Sequence, residues 1–304
     1  MERFSYVRAE SVPHAVTLLN TPGVRSRVLA GGTDLVLLAR ENHDLCDRVV
    51  DITLVPELHE IRRVRSANGD TGTVGDTVTI GAAATFSEIT ASALVRETAP
   101  LLAEACHSVG ATQIRNMGTL GGNVANAAAC ADSLPALVCL DALAHVLTPS
   151  GDMTWPVAEF VTRPNRTTLP PGGLLTMLSY LVPAPGSRSV FLKLGRRNAM
   201  AISRLTVAAL GRIDEQGRIT EIRVVPGSAT PHIHRFARTE ALMLGHEPTT
   251  ALCEEAGHVA VAEMSEITGK RWSSEFKEPA LQAMVTRALL SLFGLIAKDE
   301  EAHA

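Results

Sequence analysis

Two stretches of paired glycine constrain this chain more than any other feature in it. The longer, TQIRNMGTLGGNVANAAACADSLPAL at 112 to 137, sets Gly121-Gly122 between Thr119 and Asn123 and continues in small residues. It closes on Asp132-Ser133-Leu134-Pro135, which reads as the cap and first turn of a helix. The shorter, Val28 to Leu35, runs an apolar strand into Gly31-Gly32-Thr33 and then a helix start. Glycine has no side chain to hold a bulky group away, so such loops let bare backbone approach a ligand, and their unpaired amides favour anions. Thr119 and Asn123 add groups suited to phosphate or sugar oxygens. One such loop alone reads as a turn packed on small residues. Two of the same design point to a shared ligand.

Several function classes are excluded. The formal charge of -4 shows no basic excess of the kind nucleic-acid binders carry, and two Trp and two Tyr leave no platform for stacking bases. Neither a G-x-G-x-x-G turn nor a P-loop occurs. Cys46, Cys106, Cys130, Cys139 and Cys253 are scattered, odd in number and form no C-x-x-C pair, so buried thiols in a reducing compartment are expected. No run approaches the roughly 20 apolar residues of a membrane span, and MERFSYVRAES lacks the apolar core of an export signal. A soluble cytoplasmic protein is the expectation.

At 304 residues, two or three subdomains are expected. Ser11 is placed to cap a helix carrying Val12, Ala15, Val16 and Leu19, and strands at 25 to 30 and 48 to 52 flank a short apolar helix at 35 to 40, a compact βαβ opening. From 54 to 100 an antiparallel meander is expected around the turns Asn68-Gly69-Asp70 and Gly75-Asp76, with Thr85 and Glu88 as a capping box. Helices at 101 to 109 and 133 to 141 and a strand at 144 to 147 follow. TRPNRTTLPPGG at 162 to 173 reads as a surface loop leaving this domain, and a strand from Leu174 opens the next. A hairpin turns at Asp214-Glu215-Gln216-Gly217, helical patterns run through Leu242, Leu252 and Leu281 with Gly245 as a C-terminal cap, and a charged tail begins at Lys298.

AGGTDL at 30 to 35, QIRNMGTLGGN at 113 to 123 and ADSLPAL at 131 to 137 resemble the diphosphate-gripping loops of the FAD-binding medium subunit of molybdenum hydroxylases, the xanthine, carbon monoxide and nicotinate dehydrogenase group. KLGRRNAMAIS at 193 to 203 and RTEALMLG at 238 to 245 resemble the small C-terminal domain of the same subunit. The resemblance covers roughly residues 1 to 295. It implies an α+β fold: a two-part PCMH-type, vanillyl-alcohol-oxidase-like FAD domain at 1–173, with subdomains of about 1–55 and 56–173, then a C-terminal domain of antiparallel sheet plus helices at 174–304.

Carried over by position, the resemblance implies that Leu29, Ala30, Gly31, Gly32, Thr33, Asp34 and Leu35, with Thr119, Gly122 and Asn123, hold a non-covalent FAD. Asp132 would bind a ribityl or flavin atom with Asn126 assisting, Val109 and Met177 would face the ring, and Lys193 would sit near its pyrimidine edge. Asp34 and Asp132 also have ordinary readings as helix N-caps, Val109 and Met177 read by default as core packing, and the alternative for Lys193 is a surface lysine on a strand. Arg196-Arg197 reads as a solvated charge pair, with attraction of a nicotinamide dinucleotide or of a partner subunit as alternatives. With no cysteine set for 2Fe-2S clusters, those clusters and the molybdenum cofactor are expected in a small and a large partner subunit, as a dimer of heterotrimers. Electrons would leave to NAD or another acceptor. The competing readings are a freestanding FAD-dependent oxidase or reductase with its own small substrate, and a flavin-free scaffold.

Overall fold

The computed structural model describes residues 4–42, 44–65, 75–197 and 200–296. The expected turn at Asn68-Gly69-Asp70 and the charged tail from Lys298 lie outside the described residues. The first body comprises β1 (Ser5–Arg8), α1 (Val12–Leu19), β2 (Ser26–Leu29), α2 (Leu35–Glu41) and β3 (Arg48–Asp51). Both β1 and β2 run parallel to β3, with Val7 and Val28 flanking Val50. The Ser11 hydroxyl accepts from the His14 amide at 3.3 Å, the expected cap. By contrast α2 buries none of its side chains, and its Val36, Leu37 and Leu38 are exposed.

The second body runs through β4 (Ile61–Val64), β5 (Thr77–Gly81), α3 (Phe86–Ala91), α4 (Ala93–Thr98), α5 (Pro100–His107), α6 (Thr112–Met117), α7 (Leu120–Asn126) and α8 (Ser133–Cys139). It then continues through β6 (Leu143–Thr148), β7 (Gly151–Pro156), α9 (Val157–Phe160), the small hairpin β8 (Val161–Arg163) and β9 (Arg166–Thr167), and β10 (Leu174–Leu181). Its sheet is antiparallel in the order β4-β5-β10-β6-β7. The strand at 174, read from sequence as the start of the C-terminal part, is therefore the central strand here, and a division at 173 cuts this sheet. Its Leu178 packs with Ile80, Leu101, Leu120 and Leu137 in the largest core. The first body is seated on this one through Ala15, Val50 and Ile52 against Leu58, Ala83 and Leu174.

The third body is an antiparallel sheet of β11 (Arg188–Leu194), β12 (Leu205–Ile213) and β13 (Ile219–Gly227), followed by α10 (Ala237–Met243), α11 (Thr250–Thr268) and α12 (Ser274–Leu292). β12 is buried from Leu205 to Gly211. Side chains alternate faces along a strand, so Leu205, Val207 and Ala209 meet the helices while Ala208 and Leu210 join the core of the second body. A sheet covered on both faces needs a continuous apolar run, and that is why this strand reads so. Gly245, at φ +82°, ends α10 as expected.

The capping box at the start of α3 is present in full: the Thr85 amide donates to Glu88 Oε2 at 2.7 Å and the Glu88 amide to Thr85 Oγ1 at 3.2 Å. Thr85→Ala is expected to lower unfolding free energy by about 1 kcal/mol. Denaturant unfolding with an unchanged midpoint would contradict that role.

Candidate functional site

Between the first and second bodies lies a cleft of about 610 Å³, inside the range of about 300–1,000 Å³ common to small-molecule and cofactor sites. Ala30 to Leu35 form one wall, and Gly118, Thr119, Gly121, Gly122, Asn123, Ala125 and Asn126 the facing wall. Leu169 to Leu175 form a third. The segment expected to be a surface loop is thus part of the site.

Each glycine in these walls has its own physical reason. A Cβ on Gly31 would stand 1.9 Å from the Met117 carbonyl oxygen, so the first loop touches the second backbone to backbone. Gly32 holds φ +69°, a left-handed conformation that side chains resist. A Cβ on Gly121 would lie 2.4 Å from the Ala82 Cβ, whereas one on Gly122 would meet only Thr119 Oγ1, at 2.8 Å. Gly31 and Gly121 let the protein pack on itself, and Gly122 keeps the cleft clear.

The loops differ in what they offer. In the second, Gly121 donates to the Ala82 carbonyl, Leu120 to that of Ala84 and Gly122 to Thr119 Oγ1. In the first, the amides of Gly31, Gly32, Thr33 and Asp34 meet no acceptor among the described residues. Successive free amides through a turn into positive φ form a concavity suited to an anion. A dinucleotide diphosphate fits these donors without a basic side chain.

Neither candidate cap caps. The Asp34 side chain makes no bond to its own helix; its Oδ1 accepts from Asn126 Nδ2 at 3.1 Å, across the cleft. Asp132 likewise leaves α8 uncapped and is bound by Lys193 Nζ at 2.6 Å and by the Ser203 hydroxyl. Lys193 Nζ also donates to the Ser108 carbonyl at 2.8 Å. Burial pushes the Asp132 carboxyl up, while the bonds from Lys193 and Ser203 and the lysine charge act against it. Lys193 is no surface lysine, being 16% exposed and paired with a carboxylate.

Asp132 and Lys193 do not line the 610 Å³ cleft. They are joined to it through Ser133, whose hydroxyl donates to Asn123 Oδ1 at 2.7 Å. Leu29, Val109 and Met177 are not on the cleft walls either. Met177 stands in β10 opposite Gly81, while Leu174 and Leu175 of the same strand do face the cleft. Val109 packs against the core of the second body. Sequence reasoning missed Gly118, Ala125 and the Leu169–Leu175 wall, although Gly172-Gly173 repeats the glycine pairing of the other loops. Ser108 and Ser203 carried no signal, one acting through its carbonyl and the other as a lone serine. Four cysteines are buried as expected, but Cys130, read as buried, is half-exposed. Burial pushes the Cys253 thiol up to about 11 and raises those of Cys106 and Cys139 further.

Residues 2–184 match the model of the FAD binding domain in molybdopterin dehydrogenase, and residues 190–292 that of the CO dehydrogenase flavoprotein C-terminal domain. The 6-hydroxypseudooxynicotine dehydrogenase complex subunit alpha of Paenarthrobacter nicotinovorans is 29% identical over 94% of this chain and 93% of its own. The xanthine dehydrogenase FAD-binding subunit of Escherichia coli O157:H7 is 28% identical over 94% of both chains. A solved structure of carbon monoxide dehydrogenase from Hydrogenophaga pseudoflava, lacking the Mo-pyranopterin moiety, superposes with TM-score 0.85 at 26% identity, covering 97% of this chain and 99% of that one.

Gly31→Ala is expected to destabilise the fold by about 1–3 kcal/mol through overpacking, with Gly122→Ala costing clearly less. Thermal unfolding of the two variants side by side checks this, and equal losses would refute the division of labour between the glycines.

Proposed function

The chain belongs to the FAD-binding subunits of molybdopterin dehydrogenases, and from that premise we propose that it carries electrons from the 2Fe-2S clusters of a partner chain to NAD or another acceptor. As a member it is an oxidoreductase component of the xanthine and CO dehydrogenase type, with FAD as cofactor and molybdenum and iron-sulfur centres in other subunits. The observation that carries the reading is the row of free amides at Gly31 to Asp34, facing Thr119, Gly122 and Asn123 across one cleft. Those residues, with Ala30, Leu35 and Asn126, would hold the dinucleotide. FAD bound there supplies exchange between one-electron and two-electron carriers.

The chain's own part is positioning and electrostatics. The glycine walls would admit the diphosphate, Leu174 and Leu175 would cover apolar surface and exclude water, and the Asp132–Lys193 pair beside the cleft would set the charge met by the ring. No residue here needs to act as acid, base or nucleophile. Among the described residues no helix is long and apolar enough to cross a membrane. We assign the chain to the cytoplasm, in a dimer of heterotrimers with a small 2Fe-2S subunit and a large molybdopterin subunit.

The purified chain is expected to carry one FAD whose absorbance is bleached by the complex's substrate only after both partner chains are added. Bleaching by a small substrate with this chain alone would establish a freestanding oxidase instead, and a colourless preparation that takes up no FAD would establish a scaffold. Gly122→Val is expected to leave the fold intact and abolish FAD retention; unchanged flavin content would remove the second loop from the site.

A further inference from the structure

We propose that Ser203 is a positioning residue that holds the Asp132 carboxylate in register with Lys193, so that the polar cluster beside the cleft carries no net charge. This rests on the reading that FAD occupies the cleft with its ring end toward Asp132 and Lys193.

The four groups of the cluster come from two bodies. Ser108 and Asp132 belong to the second body, at the ends of α5 and of the loop before α8, and Lys193 and Ser203 belong to the third, on β11 and just before β12. Asp132 has one oxygen on Lys193 and the other on the Ser203 hydroxyl, with the Ser108 side chain a weaker third donor. Both Asp132 and Ser203 are buried, at 6% and 7% exposure, and no water can readily replace a lost bond. The serine cannot drift, because the next residue, Arg204, donates its amide to the Leu194 carbonyl at 2.8 Å and so continues the pairing of β11 with β12.

Among the described residues the thiols of Cys106 and Cys130 also face Asp132, and neither supplies positive charge. Burial already pushes the Asp132 carboxyl up, and Lys193 and Ser203, with a smaller part from Ser108, oppose it. Removing the Ser203 hydroxyl takes its nearer donor from a buried carboxylate oxygen, which favours the protonated acid. Lys193 would then stand uncompensated on the acid side of the titration. An uncompensated cation beside an electron acceptor favours its reduced form. A serine with a merely structural role would alter stability or FAD affinity without making the potential depend on pH in a new way.

The test uses the full chain loaded with FAD, with the midpoint potential followed by dye-equilibrated spectroscopy from pH 6 to 9. Asp132→Asn is expected to raise the potential throughout and Lys193→Met to lower it. Each shift corresponds to about tenfold in relative affinity for reduced over oxidised FAD, or about 30 mV for a two-electron couple. Ser203→Ala should match the wild type at high pH and rise toward Asp132→Asn at low pH, and Ser203→Thr should restore the wild-type profile. If Ser203→Ala yields too little folded protein, Ser203→Cys, a weaker donor, should give the same acid-side rise. A Ser203→Ala profile parallel to the wild type, with the other two variants shifted as expected, overturns the role of Ser203 alone. Normal FAD content with no shift in Asp132→Asn or Lys193→Met overturns the ring-end reading and this inference with it, leaving FAD retention by the glycine loops standing.

Discussion

The contact on which the rest of the molecule depends is one of backbone against backbone. Gly31 lies so close to Met117 and Gly118 that any side chain would occupy the neighbouring carbonyl, and Gly121 lies nearly as close to Ala82. The second loop is held by pairing with the segment after β5, where Phe86 donates to the Gly118 carbonyl and Leu120 to that of Ala84. The end of the central sheet therefore fixes the second loop, the second loop fixes the first, and the cleft is the space left between them. Its shape follows from where side chains are missing.

The charged cluster obeys a different rule. β12 is buried on both faces, which locks the third body against α5 and α8 and leaves little freedom in where β11 carries Lys193. A lysine and an aspartate placed so deeply must satisfy each other, since an unpaired charge there costs several kcal/mol. Lys193 therefore reaches the neighbourhood of the cleft already paired. Charge near the cleft is thus a property of the junction between two bodies, and it is set by strand register.

Much of this was legible beforehand, and for identifiable reasons. The glycine pairs, the Thr85 capping box, the hairpin at Asp214 and the long C-terminal helices are local features, written within a few residues of one another. What was not legible was non-local. Leu174 to Leu181 reads as a strand from any window, but nothing nearby says that its neighbours are β5 and β6 rather than the strands that follow it. Leu174 and Leu175 line the cleft while Met177, two residues on in the same strand, does not, and the irregular register between Leu175 and Met177 that separates them depends on pairing with β6, far away in sequence. Asp34 and Asp132 had the local form of caps, yet long-range partners, Asn126 for one and Lys193 for the other, claimed their carboxylates.

The central place of β10 also dictates an order of events during synthesis. Its partners β5 and β6 emerge from the ribosome well before it and cannot be joined until residue 181 has been translated. Pairing across so long a separation in sequence is slow, and the open edges of a half-built sheet are prone to wrong partners. The third wall of the cleft is the segment leading into that same strand, so the nascent chain offers no finished berth for a dinucleotide until this sheet has closed. Cofactor loading is thereby tied to the last strand of its domain, and a chain truncated before it would be left with glycine loops and nothing to enclose.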